Sequence, residues 1–239
     1  RILDINRKPE KRMKKIAILI SALIPLLCSC TVDTYDTPSE TLTGKLVCPD
    51  GSPLITEQPN GFKIRLNEVV GGKVTNLPQD FWGRADGTFT NTKIFKGTYV
   101  VQPIEGAFFA VDPVEVDIDG TMELTFEVTP FVTIAASITA SGPDLIAKYR
   151  ITKAPGAGNI TTARLLLSKW NPNVGMNRTD YEAVRDLSKT DDATVTSTTY
   201  TDSIRDCLEA GVTYYARVAV LSSNVAGRYN LSEVVKIEM

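Results

Sequence analysis

The sequence contains no histidine. That removes the base of Ser-His-Asp and Cys-His nucleophiles, the side chain that titrates nearest neutral pH, and the commonest metal ligand. Cysteine is scarce, with four in 239 residues. None falls in a C-x-x-C or other metal-type spacing, and Cys48 and Cys207 read as two separate buried thiols. Phosphate-cradling glycine loops are missing, because Gly71-Gly72 and Gly156-Ala157-Gly158 lie in turns with no helix behind them. The apolar run Ile16 to Leu27 falls short of the ~20 residues that span a bilayer. Carboxylate pairs could still hydrolyse glycosides. The acidic residues, however, alternate with apolar ones, as in Glu115-Val116-Asp117-Ile118-Asp119, the pattern of a solvated strand face. That run also lacks the loop spacing of a calcium site. The expectation is a protein that is not an enzyme and carries no cofactor and no metal.

The N-terminus is the most legible part of what is present. Met13-Lys14-Lys15 is a short basic segment, Ile16 to Leu27 an apolar one, and Leu27-Cys28-Ser29-Cys30 resembles a lipobox: branched aliphatic at −3, small residue at −1, cysteine at +1. Residues 13–29 therefore read as a lipoprotein signal peptide, with residues 1–12 an upstream extension set aside from fold reasoning. Cys30 is the expected lipidation site, and two or more acyl chains on it anchor stably to a membrane. The first 29 residues hold seven of the 26 basic and two of the 28 acidic residues. The remainder carries 19 against 26, a net charge of −7. An acidic body argues against nucleic acid as a partner. It also leaves the acyl chains as the membrane link.

Residues 30–40 are polar, acidic and interrupted by Pro38, and read as a flexible tether. From Thr41 the hydrophobic period is two: Phe62, Ile64 and Leu66, then Met122, Leu124, Phe126 and Val128, alternate with polar residues. Turn signals separate the runs at Asp50-Gly51, Gly71-Gly72, Asp86-Gly87, Lys96-Gly97 and Asp119-Gly120. Many short strands with regular turns imply a sandwich or barrel. The fold class is all-β: two tandem antiparallel β-sandwiches, residues 41–130 and 131–239, after a signal peptide and tether. One helix is expected over Arg178 to Leu187, where Tyr181, Val184 and Leu187 have helical spacing.

Residues 41–130 resemble the transthyretin-like or carboxypeptidase-regulatory-like sandwich. The resemblance rests on Leu42-Thr43-Gly44-Lys45-Leu46, the Asp50–Leu54 turn, Lys63–Leu66, Ala85–Phe89 and Ile94–Val101. Residues 131–239 resemble a fibronectin type III or immunoglobulin-like domain, through Leu208-x-x-Gly211-x-x-Tyr214 and the alternating apolar residues behind it. That motif resembles a tyrosine corner, which implies structural roles for Leu208, Gly211 and Tyr214. The whole chain is similar to a family of two-domain Bacteroidetes lipoproteins of unknown function. This likeness rests most on Tyr35–Gly44 and Glu57–Leu66. It implies genes beside glycan-uptake systems of the SusC/SusD type and hence outer-membrane partners of that kind.

Aromatic residues near strand ends are the residue-level hint of function. Flat rings stack on sugar faces much as they stack on bases, at about 1–3 kcal/mol per ring. Trp82, Phe108 and Trp170 are the candidate ligand-binding residues, Trp170 standing before the loop Asn171-Pro172-Asn173. The expected function is a non-catalytic outer-membrane lipoprotein at the cell surface that binds polysaccharide or serves an uptake complex. The alternative is a spacer or adhesion module that binds protein.

Overall fold

Phe62, Ile64 and Leu66 are all fully buried, while Lys63, Arg65 and Asn67 between them are half-buried. One face of this strand thus builds a core and the other faces outward. A computed structural model describes residues 36–239 of the chain; the signal segment and Cys30 lie outside the described residues. Residues 36–39 have no regular structure. Pro38–Met239 forms one compact unit.

The first half holds β1 (Glu40–Val47), β2 (Lys63–Val70), β3 (Lys73–Val74), β4 (Gln79–Trp82), β5 (Thr88–Ile94), β6 (Gly97–Ile104), β7 (Val114–Ile118) and β8 (Thr121–Glu127). One sheet has the order β5-β1-β8 and the other β3-β2-β6-β7, with β4 also paired to β2. The β1–β8 pair is parallel; the other pairings are antiparallel. The two sheets close on a core that includes Leu42, Leu46, Phe62, Ile64, Phe89, Tyr99 and Phe126. Burying each such side chain is worth ~1.5–3 kcal/mol. Gly44 sits where β1 is squeezed between its neighbours. A Cβ there would run into the Leu124 carbonyl oxygen and the Phe89 ring.

The second half holds β9 (Val132–Ser141), β10 (Asp144–Lys153), β11 (Ile160–Lys169), β12 (Tyr181–Asp186), α1 (Asp192–Ser197), β13 (Tyr200–Ile204), β14 (Thr213–Ser222), β15 (Tyr229–Leu231) and β16 (Val235–Glu238). A three-stranded sheet β13-β10-β9 faces a larger one, β12-β11-β14-β15, with β16 also on β14. Tyr214, Ala216, Val218 and Val220 of β14 point into the core between them. Tyr214 closes the corner, its hydroxyl accepting from the Glu209 N–H at 3.1 Å. Gly211 supplies the positive φ (79°) that the bend into β14 requires.

The expected helix over Arg178 to Leu187 is instead a strand. Tyr181–Asp186 pairs antiparallel with β11 as the edge of the larger sheet. The cause is tertiary: Ala183 packs on the sandwich core and Arg164 reaches Glu182 across the pair at 2.8 Å. A period-two strand therefore satisfies more partners than the helical spacing of Tyr181, Val184 and Leu187. The helix lies slightly later, at α1. There Asp191 caps the N-terminus by accepting from the Thr194 N–H at 2.9 Å, and Val195 is buried.

Cys48 and Cys207 are both free thiols. Burial pushes both upward from the ordinary thiol pKa, so neither is an activated nucleophile. The acidic run of β7 is engaged in surface contacts: Asp117 accepts from Thr98 at 2.5 Å, and Asp119, in the turn behind it, pairs with Lys96 at 2.6 Å.

Candidate functional site

The two sandwiches meet along a seam that mixes polar contacts with an apolar cluster. Asn230 of β15 donates to the Ala107 carbonyl at 2.8 Å and accepts from the Val132 N–H at 3.2 Å. Arg228 donates to the Asn60 carbonyl at 2.9 Å and to Glu105 at 3.1 Å. The β11–β12 loop folds over the outer face of its own sheet. Val174 packs there on Leu166, Ala219 and Leu231, with Ile55 of the first sandwich against them. The Met176 N–H in this loop donates to the Glu57 carboxylate at 2.9 Å.

Arg217 lies in the same seam and is 1% exposed. Its Nη1 donates to the Thr56 carbonyl at 3.1 Å, while Nε and Nη2 have no partner. Loss of hydration pushes its pKa down to about 10, against the opposing pull of the Glu57 charge. It lines a cleft of about 310 Å³ together with Ile55, Asp86, Asn173, Glu233 and Val234. A second cleft of about 330 Å³ opens beside Gln102, Glu105, Phe109, Asn224 and Val225. Both clefts draw their walls from both sandwiches.

The three aromatic residues singled out by sequence have different fates. Trp170 is 62% exposed. It sits at the end of β11 with φ of 62°, a left-handed conformation rare for a bulky side chain. Its N–H donates to the Thr213 carbonyl at 3.0 Å, and the Asn171 side chain accepts from the Asn173 N–H at 3.0 Å, which fixes the loop start. Trp82 is 38% exposed, but its ring is flanked by Lys63 Nζ at 4.7 Å and the Arg228 guanidinium at 5.3 Å from the centroid. Cation–π contacts thus already engage it. Phe108 is 5% exposed and belongs to the first core, its ring packed against Gly106. It forms an isolated bridge with Pro130 and lines the second cleft alongside the half-buried Phe109.

Residues 40–129 match a family model described as the N-terminal domain of a protein of unknown function, DUF3823. The first sandwich is thus similar to the DUF3823 N-terminal domain. A DUF3823 family structure from Bacteroides uniformis is 24% identical over 84% of this chain and 100% of its own, with a TM-score of 0.72. Another, from Parabacteroides merdae, is 24% identical over 85% of this chain and 100% of its own, at 0.69. A third structure, also from Bacteroides uniformis and described as a "putative carbohydrate binding protein", is 22% identical over 84% of this chain and 100% of its own, at 0.66. These likenesses extend across both sandwiches and concern the fold. No curated protein matches the chain.

Several seam residues were invisible to sequence reasoning. The first sandwich contributes Glu57, Lys63 and Glu105, and the second answers with Arg217, Arg228 and Asn230. Nothing in their local sequence marks them, because a lone charged or amide residue near a turn is ordinary surface. The one available signal was Arg217 itself, a cation in the apolar run Tyr214 to Val220. Among the described residues no group of three or more Cys, Asp or Glu gathers as metal ligands would. No helix of the described residues is long and apolar enough to cross a membrane, which says nothing of strands.

Proposed function

We propose that this protein is a non-catalytic lipoprotein, tethered through Cys30 to the outer membrane and displayed at the cell surface, where it binds glycan for an uptake system. The carrying observation is Trp170, a large ring held mostly in solvent on left-handed backbone. Such strain persists where the surroundings fix it and clusters at ligand sites. An exposed ring beside amide side chains has the chemistry of a sugar platform: an apolar face for C–H groups and polar groups for hydroxyls. The carbohydrate-binding description of one structural relative supports the reading, as do the lipobox-like Leu27–Cys30 and the missing imidazole.

Affinity electrophoresis in gels containing host and dietary polysaccharides tests it. At least one polysaccharide retards the wild type, and Trp170→Ala abolishes the retardation. No retardation by any of them refutes the reading. For the anchor, the full chain expressed in a Gram-negative host partitions with membranes and takes up labelled palmitate, and Cys30→Ala loses both. Release of the unmodified wild type into the medium overturns this part.

A protein partner is the second reading, and one observation favours it. The segment from the end of β2 to the loop after β3 exposes Val70, Val74 and Leu77, the last at 82%. Exposed apolar side chains close together in one hairpin suit a protein contact. Co-purification of an outer-membrane protein that is lost with Leu77→Asp would support the role of accessory subunit or spacer. Recovery of the same proteins with both forms would discard it.

A further inference from the structure

We propose that the cleft beside Glu105 is a sugar subsite built jointly by the two sandwiches, taking one neutral pyranose unit; this rests on the glycan-binding reading above. Three observations meet there.

The first is backbone strain. Glu105 follows β6 with φ of 58°, a left-handed conformation that non-glycine residues rarely adopt. Its carboxylate is nevertheless held by two cations, Lys63 at 3.0 Å and Arg228 at 3.1 Å, one from each sandwich. Their donation keeps its pKa below the ordinary carboxylate value, so it is an acceptor at neutral pH. Each oxygen still has lone-pair capacity for a hydroxyl.

The second observation is the orientation of two amides. Asn224 Oδ1 accepts from the Gly158 N–H at 2.6 Å and from Ser222 at 3.0 Å, which fixes the side chain and leaves its NH₂ without a protein partner among the described residues. Gln102 donates its NH₂ to the Val111 carbonyl at 2.7 Å, leaving Oε1 without one. The cleft therefore offers one donor and two acceptors in fixed positions. That alternation suits hydroxyls, each of which both donates and accepts. Glu105 is the charged residue lining the cleft and the cations paired with it lie outside that lining, so a carboxylate or phosphate there would meet a like charge first.

The third is the wall. The Phe109 ring packs edge-to-face against Phe131, centroids 5.0 Å apart, and presents an apolar surface to the cleft. At about 330 Å³ the cleft lies at the small end of ligand sites, the scale of one sugar unit. The Lys63 and Arg228 that hold Glu105 are themselves seated over the Trp82 ring.

The test uses the full chain in detergent, titrated calorimetrically with neutral hexasaccharides of glucose, mannose, xylose and galactose, and with hexagalacturonate. At least one neutral hexasaccharide binds. Asn224→Ala then weakens it ~3- to 10-fold, the range of one lost hydrogen bond, and Glu105→Gly weakens it at least as much. Glu105→Gly also relieves the left-handed strain, so its denaturation midpoint does not fall. A structural residue would show the opposite pattern, lower stability with unchanged affinity. Should Glu105→Gly prove unstable, Asn224→Ala, at an exposed turn, decides alone. If Trp170→Ala abolishes binding while Asn224→Ala and Glu105→Gly leave it unchanged, the subsite is overturned and the glycan reading stands. If no neutral sugar binds the wild type, both fall. Preference for hexagalacturonate over every neutral probe also overturns the subsite.

Discussion

Replacing Asn230 with alanine should damage the seam more than any exposed substitution could. The side chain is buried and bridges two backbone groups, the Ala107 carbonyl of the first sandwich and the Val132 N–H of the second. Alanine leaves both unpaired in a dry place. An orphaned buried group costs about 1–3 kcal/mol, so the pair predicts a loss of roughly 2–6 kcal/mol. At this chain length each kcal/mol moves the thermal midpoint by about 2–4 °C, giving a drop on the order of 4–24 °C. The assay is built into the sequence, which has two tryptophans. Trp82 lies in the first sandwich and Trp170 in the second, so Trp170→Phe and Trp82→Phe each leave a single reporter. In urea the two reporters should show one common midpoint with Asn230 intact. They should separate, or shift down together, with Asn230→Ala. A change below about 0.5 kcal/mol, or distinct midpoints with Asn230 intact, would show that the seam does not couple the halves.

Trp170→Gly and Trp170→Ala remove the same ring, but only glycine is at ease at φ of 62°. Strain relief of ~1–2 kcal/mol, less the ~0.4–1 kcal/mol of unfolded-chain entropy that glycine adds, should leave Trp170→Gly the more stable by up to about 1.6 kcal/mol. Urea midpoints decide, and alanine equal to or above glycine would contradict the left-handed assignment. Asp80 accepts from Arg65 Nε and Nη2 at 2.9 and 2.7 Å, and this donation holds its pKa below the ordinary value. A lowered carboxylate pKa contributes stability that is complete above its unfolded value of ~3.9 and lost as pH falls through the folded one. Asp80→Asn should therefore flatten the acid limb of the stability–pH curve below about pH 4 while leaving its slope near neutrality unchanged; an unaltered acid limb would refute the pairing. Tyr214→Phe deletes only the hydroxyl that accepts from Glu209. It should cost ~0.5–1.5 kcal/mol by chemical denaturation, and a neutral result would remove the corner from the list of stabilising contacts.

The strands of both cores were readable because burial repeats every two residues wherever one face of a sheet is covered. Phe62, Ile64 and Leu66 show it in one half, Tyr214, Ala216, Val218 and Val220 in the other. The turn dipeptides were equally local, since Gly51, Gly71, Gly72, Gly87 and Gly120 take the positive φ that glycine alone adopts without strain. Tyr181–Asp186 misled for the converse reason. Its spacing fits a helix in isolation, and only the pairing offered by β11 makes a strand the better choice. Phe108 and Phe109 carry the same side chain in adjacent positions. Which one turns into the core is fixed by the bridge to Pro130, a residue 22 positions from Phe108.

By itself the sequence determined that this chain forms strands, where they turn, and that imidazole chemistry is closed to it, because each of these depends on residue type and near neighbours. The tertiary structure alone decided which side chains meet across the seam. Glu57 with Met176, Glu105 with Arg228, and Asn230 with Ala107 lie 119, 123 and 123 residues apart. Pairings at such separations follow from how two finished surfaces dock, and no local pattern encodes them.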